Sequence, residues 1–580
     1  MGVHLGVLTW VLRRSWWHAP DYALLADARA STGTRAVLDP LDGRLSVVAR
    51  AAAELVARED PVRWPLAAGL LVAAQLLASL AVLALLLTAC GRRPRVLPLL
   101  TLYLASPLTW AAGRWWASGL TTAVLVALVA GALAARLRAV RSGRRRWDVA
   151  AATAAVLAAL CSPAALALPV LLGGLHLLRH PGGGADGQGG GLRRTGVAVG
   201  CGAVVAVAAA VVHAVLVPGS ALGEPSAAAA RAALATVGEA WLPGLLGGPW
   251  TWSDDATAAR VPDPPAAAVA VAAVVVTAVV VALLRRPGAR APVALLLGWV
   301  VVVVVLGTFL AAPTEAARIE VPTQLVAVLV PPTLLAVGLA LGPRPVDQSA
   351  APREGRLRRL TAHLEDLRPL VPYGAPVAAA LLVVVALLAT TTLVRAQLTD
   401  DAAADWARAA RQAAEQRPVV DLADAPVPAF VDVPSRDVPL RTGTVLDLVT
   451  DNVRVPVTTS NLVVVTEDGA LRPARVVGTA AYPALAGTCG SLVADAPVRV
   501  RLPEATGPGS HWVSIGYLSG ANRTLAVRAG DTEAEVPMRS GAKTVYVRVE
   551  GDVRTVVLDP VTREGGPATC VVGLDVGDAE

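Results

Sequence analysis

Long apolar runs constrain this chain more than any other feature. Residues 266–284 and 291–312 carry no charged side chain. Each is long enough as a helix to cross a hydrocarbon core of about 30 Å. Soluble chains of this length seldom reach 55% hydrophobic residues with a mean hydropathy of +0.57. The net charge of +7 does not point to nucleic acid. Its arginines cluster in short strips between apolar runs, where the cytoplasmic loops of a membrane protein hold them. No nucleic-acid-binding motif accompanies them.

Taken in order, the chain predicts about eleven crossings, with the N-terminus inside and the C-terminus outside. Residues 1–12 are apolar but too short to span alone. Either that helix is tilted and incomplete, or the true start lies upstream of Met1; no signal-peptide cleavage pattern is present. Residues 13–63 form a first outer loop. Within it Leu45, Val48, Ala52 and Leu55 recur at helical spacing, as in a helix lying along the membrane surface. Spans follow at 64–88, 96–112 and 117–135. The strips Arg92, Arg93, Arg95 and Arg136, Arg138, Arg141, Arg144, Arg145, Arg146 mark cytoplasmic ends. Residues 149–178 are expected as two short helices broken at Cys161-Ser162-Pro163, because proline disfavours helix at the residue before it. That hairpin keeps Arg179, Arg193, Arg194 and the Gly-rich stretch 181–191 inside. Further spans are expected at 195–217, 266–284, 292–312, 322–341 and 376–394. A second large outer loop occupies 218–263.

From residue 397 the composition changes. An Ala-rich polar helix at 400–416 precedes short runs at 462–466, 498–502, 512–517, 524–527, 544–549 and 555–558. Several alternate apolar and polar residues between turn residues, the pattern of an antiparallel sandwich. The expected organisation is a transmembrane domain over 1–395, a linker helix over 396–420 and an extracytoplasmic β-sandwich over 421–580. Cys90, Cys161 and Cys201 lie in or beside spans as small packing residues. Cys489 and Cys570 can form a disulfide if the β domain is exported. No metal-type spacing of Cys or His appears.

Chemistry concentrates in the first outer loop, where Asp21, Asp27, Asp39 and Asp42 lie. Asp21 follows a Trp-Trp-His-Ala-Pro entry at the outer end of the first helix. There a carboxylate faces outer water beside the bilayer. It can take a proton from an attacking hydroxyl, help hold a divalent cation such as Mg or Mn, or simply cap the helix that starts at Tyr22. Asp27 is the second catalytic candidate, though off the Asp21 face. Asp39 and Asp42, in LDPLDG, suit a turn. Arg114 and Arg318 are single cations at outer span ends, either pairing a donor phosphate or snorkelling to the interface. Trp115, Trp116, Trp241, Trp250 and Trp252 read as an interfacial belt, or as rings that stack on sugars or line an isoprenoid groove.

With these residues placed, the chain resembles integral-membrane glycosyltransferases of the GT-C fold, which use polyprenyl-phosphate sugars and carry an essential Asp in the first outer loop. The resemblance rests on the Trp-rich entry with Asp21, the surface helix after it and LCSPAALALPVLL at residues 160–172. The layout, with many spans before an exported β domain, is similar to the arabinosyl- and mannosyltransferases of actinobacterial envelopes. In those the β domain is jelly-roll-like and binds carbohydrate. Many relatives carry paired acids where this chain has Pro20-Asp21, and a Lys where it has Ser162. The resemblance implies membrane lipid, a polyprenyl-phosphate sugar donor and an envelope glycan or glycolipid acceptor as partners, with transfer by inversion. Two other readings compete. One is a non-catalytic envelope scaffold that presents a carbohydrate-binding-like β domain. The other is a transporter, which the scarcity of polar groups in the spans disfavours; Gln75 and His213 are among the few.

Overall fold

A computed structural model of the chain describes residues 1–30, 37, 46–111, 116–175, 202–211, 215, 226–252, 262–309, 315–341, 371–399, 402–431, 440–481, 489–561 and 568–580. It divides into two compact units. The first comprises Met1–Arg58, Arg63–Asp401 and Val433–Asp437, and the second Glu59–Val62, Ala402–Asp432 and Val438–Glu580.

The first unit is a polytopic helical membrane domain. Its elements are α1 (Gly2–Leu12), α2 (Ala19–Ala30), α3 (Val47–Val56), α4 (Trp64–Cys90), α5 (Val96–Ala105), α6 (Pro107–Ala111), α7 (Trp116–Ser142), α8 (Arg145–Cys161) and α9 (Leu168–Gly174). After these come α10 (Gly202–Val211), α11 (Ala227–Ala235), α12 (Leu242–Gly244), α13 (Ala266–Leu284), α14 (Pro287–Phe309), α15 (Glu315–Ala340) and α16 (Val371–Thr399). Each of the eleven expected crossings carries a helix. Six helices among the described residues are long and apolar enough to span a membrane, and α1, α5, α9 and α10 are shorter apolar helices.

Prolines set the breaks. Ser162 is extended (φ −160°, ψ 134°), as a residue before proline prefers, and α8 stops there. The Ser162 hydroxyl then caps the short 3-10 turn Pro163–Ala165 by accepting from Ala164 N. The arms of this hairpin return to one level. The Arg136 guanidinium on α7 pairs with Asp148 in the first turn of α8 and also donates to Leu172 O in α9 at 3.2 Å. Residues 96–112, expected as one span, are two helices, because Ser106 is extended before Pro107. In α15, Pro332 has no N–H for the carbonyl of Val328. The Trp299 indole on α14 supplies the missing donor at 3.1 Å.

The outer loop expected at 218–263 is largely helical where described. α11 runs through a π-turn (Thr236–Trp241) into α12. Trp241 Nε1 donates to Thr333 Oγ1 on α15 at 3.2 Å. Beyond it Gly247, at φ +88°, lies so close to α16 that a Cβ would stand 2.9 Å from Ala386 N and 3.0 Å from Leu382 O. Only glycine takes both the backbone angle and the approach. Residues 315–320, expected in a loop, form the opening turns of α15. In α3 the buried face is Ala49, Arg50, Ala52, Ala53 and Val56, while Leu55 is exposed. Arg50, on that buried face, makes the ion pair described below.

The second unit opens with α17 (Ala402–Glu415), followed by strand β1 (Val420–Leu422), helix α18 (Thr442–Val449) and strands β2 (Val453–Arg454), β3 (Thr458–Thr459), β4 (Leu462–Val465), β5 (Leu471–Pro473), β6 (Val476–Ala480) and β7 (Ser491–Val493). It closes with β8 (Val498–Arg501), β9 (Ser510–Ser519), β10 (Arg523–Ala529), β11 (Thr532–Met538), β12 (Gly541–Glu550), β13 (Thr555–Pro560) and β14 (Thr569–Ala579). The antiparallel sheets β11-β10-β13-β8 and β3-β12-β9-β14-β6 share one core that includes Val513, Ile515, Leu525, Val536, Val547, Leu558 and Leu574. Alternation along each strand sends these side chains inward. A small third sheet, β2-β1-β4-β5, contains two parallel pairs and adds to the sandwich. α17, expected as a linker, is packed into this unit: Trp406 Nε1 donates to Thr466 O at 3.0 Å. Cys489 and Cys570 are joined by a disulfide, with their Cα atoms 5.5 Å apart.

Candidate active site

Asp21 is the third residue of α2, and its side chain is fully buried. Its Oδ2 accepts from His18 N at 3.2 Å, reaching back to the residue that precedes the helix. This is half of a capping box. The same carboxylate accepts from the first two N–H groups of α7, Trp116 N at 3.3 Å and Ala117 N at 3.2 Å. One side chain therefore closes the N-termini of two helices, where the helix dipoles favour negative charge. Burial pushes its pKa up from the ordinary 3.8, opposed by the nearby His18 charge and the three N–H donors.

Trp116, whose backbone N–H meets this carboxylate, belongs to a cluster of four tryptophans. Trp17 meets Trp64 edge-on at 4.9 Å and Trp116 edge-on at 5.5 Å between ring centroids, and Trp16 lies 6.4 Å from Trp64. Trp64 Nε1 donates to Leu12 O at 2.7 Å and Trp116 Nε1 to Ala67 O at 2.8 Å. The cluster thus ties α4 to α1 and to α7, while Asp21 ties α2 to α7.

Two expectations are corrected here. Asp21 does not face water, nor does it serve α2 alone; it is buried because its oxygens satisfy N–H groups of α7 that no helical carbonyl can reach. Trp116, expected to contact sugar or lipid, is 1% exposed and packs inside the bundle. Asp27 stands apart from Asp21. It lies 3.8 Å from Arg50, a buried guanidinium on α3, and so fastens α2 to α3. Trp250 is half-buried and folds over Gly248, and Trp252 forms an isolated antiparallel bridge with Pro262. The structure does not bring either to Asp21. Arg114, Trp115, Asp39, Asp42, Cys201 and His213 lie outside the described residues, as does the side chain of Arg318 on α15.

Among the described residues no three His, Cys, Asp or Glu side chains gather as a metal site. Both Asp21 oxygens accept N–H bonds and no cluster that includes a second carboxylate forms among the described residues, so these residues by themselves do not suit a divalent cation. Ser162, at the hairpin, is buried and donates to Gln324 Oε1 on α15 at 2.6 Å. Sequence reasoning missed His18 as a partner of the acid. The signal was present in the WWHAP entry, but its contacts 50 to 100 residues away were not.

The sequence matches no known protein family and no curated protein. Among solved structures, the chain is similar to the cryo-EM structure of the arabinosyltransferase EmbB from Mycobacterium smegmatis. The match is 12% identical with a TM-score of 0.31, and covers 100% of this chain and 64% of that one. This chain thus spans less than two thirds of the length of that neighbour. A likeness at this level leaves function to be argued from the chain's own residues.

Proposed function

We propose that this multi-pass membrane protein is a GT-C-like glycosyltransferase. It moves a sugar from a polyprenyl-phosphate donor to an envelope glycan or glycolipid on the outer face, with Asp21 as the base. The supporting observation is the state of Asp21, a buried carboxyl whose pKa is pushed upward at the positive ends of two helices. Such a group is suited to take and hold a proton. In the step, the acceptor hydroxyl gives its proton to Asp21 and its oxygen bonds to the anomeric carbon. The bond from that carbon to the phosphate oxygen breaks with its electrons on the phosphate, which leaves unprotonated, and attack from the opposite side inverts the centre. The acceptor reaches Asp21 only when the covering residues move aside. Arg114 and Arg318 are assigned to the donor phosphate, and Trp115, Trp250 and Trp252 to sugar or isoprenoid contacts. The disulfide supports placing the second unit outside the cytoplasm, since such bonds persist in oxidising compartments.

One observation favours a scaffold instead: every bond made by the Asp21 carboxylate is a helix-capping bond. Asp21→Asn separates the readings, because the amide keeps an acceptor oxygen but is a far poorer base. In proteoliposomes given a labelled polyprenyl-phosphate pentose or hexose, transfer by this variant should fall at least about 100-fold at unchanged protein level. Transfer equal to the native chain's would remove Asp21 as the base.

A further inference from the structure

A separate cavity lies inside the first unit, between α1, α4, α5, α6, α7 and α15. Its volume is about 30 Å³, and His4, Gln75, Tyr103, Thr122 and Ala327 are among its lining residues. That is too small for a sugar or a lipid chain and enough for one or two waters.

The polar groups around it form a connected set. His4 Nδ1 lies 2.8 Å from Leu104 O, so it carries the proton and leaves Nε2 to accept from the Gln75 amide at 3.4 Å. Ser79 and Gln75 lie near the Tyr103 hydroxyl, and Ser79 donates to Gln75 O at 2.8 Å.

Thr122 breaks the pattern. Other buried threonine hydroxyls in these helices find a carbonyl: Thr121 bonds Ala117 O, Thr333 bonds Leu329 O and Thr390 bonds Ala105 O. Thr122 Oγ1 makes no such bond. It is buried, its residue is 7% exposed, and it has no hydrogen-bond partner among the described residues. A buried hydroxyl left unpaired costs about 1–3 kcal/mol. Across the cavity, Ala327 stands four residues before Pro331, which has no N–H to give its carbonyl.

We infer that the cavity is a hydration site, where ordered water bridges Thr122 Oγ1 to the Gln75 side chain within the membrane domain. A buried water needs two to four polar partners and a void of this size, and the lining provides both. The site is independent of Asp21 and does not rest on the enzyme reading.

X-ray radiolytic footprinting of the full chain in nanodiscs tests this, because radicals formed from bound water oxidise the side chains beside it. Tyr103 and Trp110 line the cavity although they are only 3% and 7% exposed, whereas Trp299 is 2% exposed with its indole N–H paired to Val328 O. The expected result is severalfold faster labelling of Tyr103 and Trp110 than of Trp299. Thr122→Val should then slow labelling at both positions, leave the exposed Trp10 unchanged and lower the melting temperature. Labelling of Tyr103 and Trp110 as slow as that of Trp299 would overturn the inference without any variant. A Thr122→Val chain that melts higher, as expected when a dry unpaired hydroxyl becomes a methyl, would overturn it as well.

Discussion

At the scale of the residue, Asp21 carries the most consequence. Its carboxylate satisfies three backbone N–H groups that would otherwise be buried and unpaired. Asp21→Leu should therefore destabilise the first unit by about 1–3 kcal/mol for each donor left without water or another partner, read as a lowered melting temperature in detergent. The pH dependence follows from the raised pKa. The folded chain holds this proton at pH values where the unfolded chain has lost it, so the stabilising contribution is full below the ordinary 3.8. It is lost as pH rises through the raised folded value. Melts across that window should show native stability falling more steeply with rising pH than that of Asp21→Asn. The sequence marked Asp21 by its Trp-rich entry and by resemblance. It could not show that the acid reaches Trp116 and Ala117, almost a hundred residues on, because that contact exists only once α2 and α7 pack together.

At the scale of the element, the proline break at Ser162 was legible, the equivalent break at Ser106 was passed over, and side-chain rescue left no local signal. The break at Ser162 followed from local sterics alone. The bond from its hydroxyl to Gln324 depends on α15, 162 residues away, and had no local trace. The same holds for Trp299, which fills the place of the donor that Pro332 lacks. Trp299→Phe should cost about 1–3 kcal/mol by leaving the Val328 carbonyl unpaired. In a Pro332→Ala background that cost should shrink, because the new backbone N–H can reach Val328. Thermal melts of the two single variants and the double variant give this coupling directly. On α3, periodicity marked the apolar residues and passed over Arg50, which is buried 3.8 Å from Asp27.

At the scale of the whole molecule, the division into a membrane domain and a β unit was plain in the change of hydropathy near residue 397. The antiparallel strands were plain in their alternation. The parallel pairs of the small sheet were hidden, because β1 and β2 are only 3 and 2 residues long. The disulfide closes 81 residues of sequence within the second unit. Cys570→Ala should lower the stability of that unit by about 2–5 kcal/mol, seen as an earlier melting transition. The proposed enzyme reading, as against a scaffold, rests on the buried acid at the head of α7. The most direct test is infrared titration of that carboxyl in the membrane-reconstituted chain, with Asp21→Asn subtracted to isolate its band. The account predicts a protonated C=O band that persists above pH 3.8 and is absent from the variant. A carboxyl already ionised at or below that pH would contradict it.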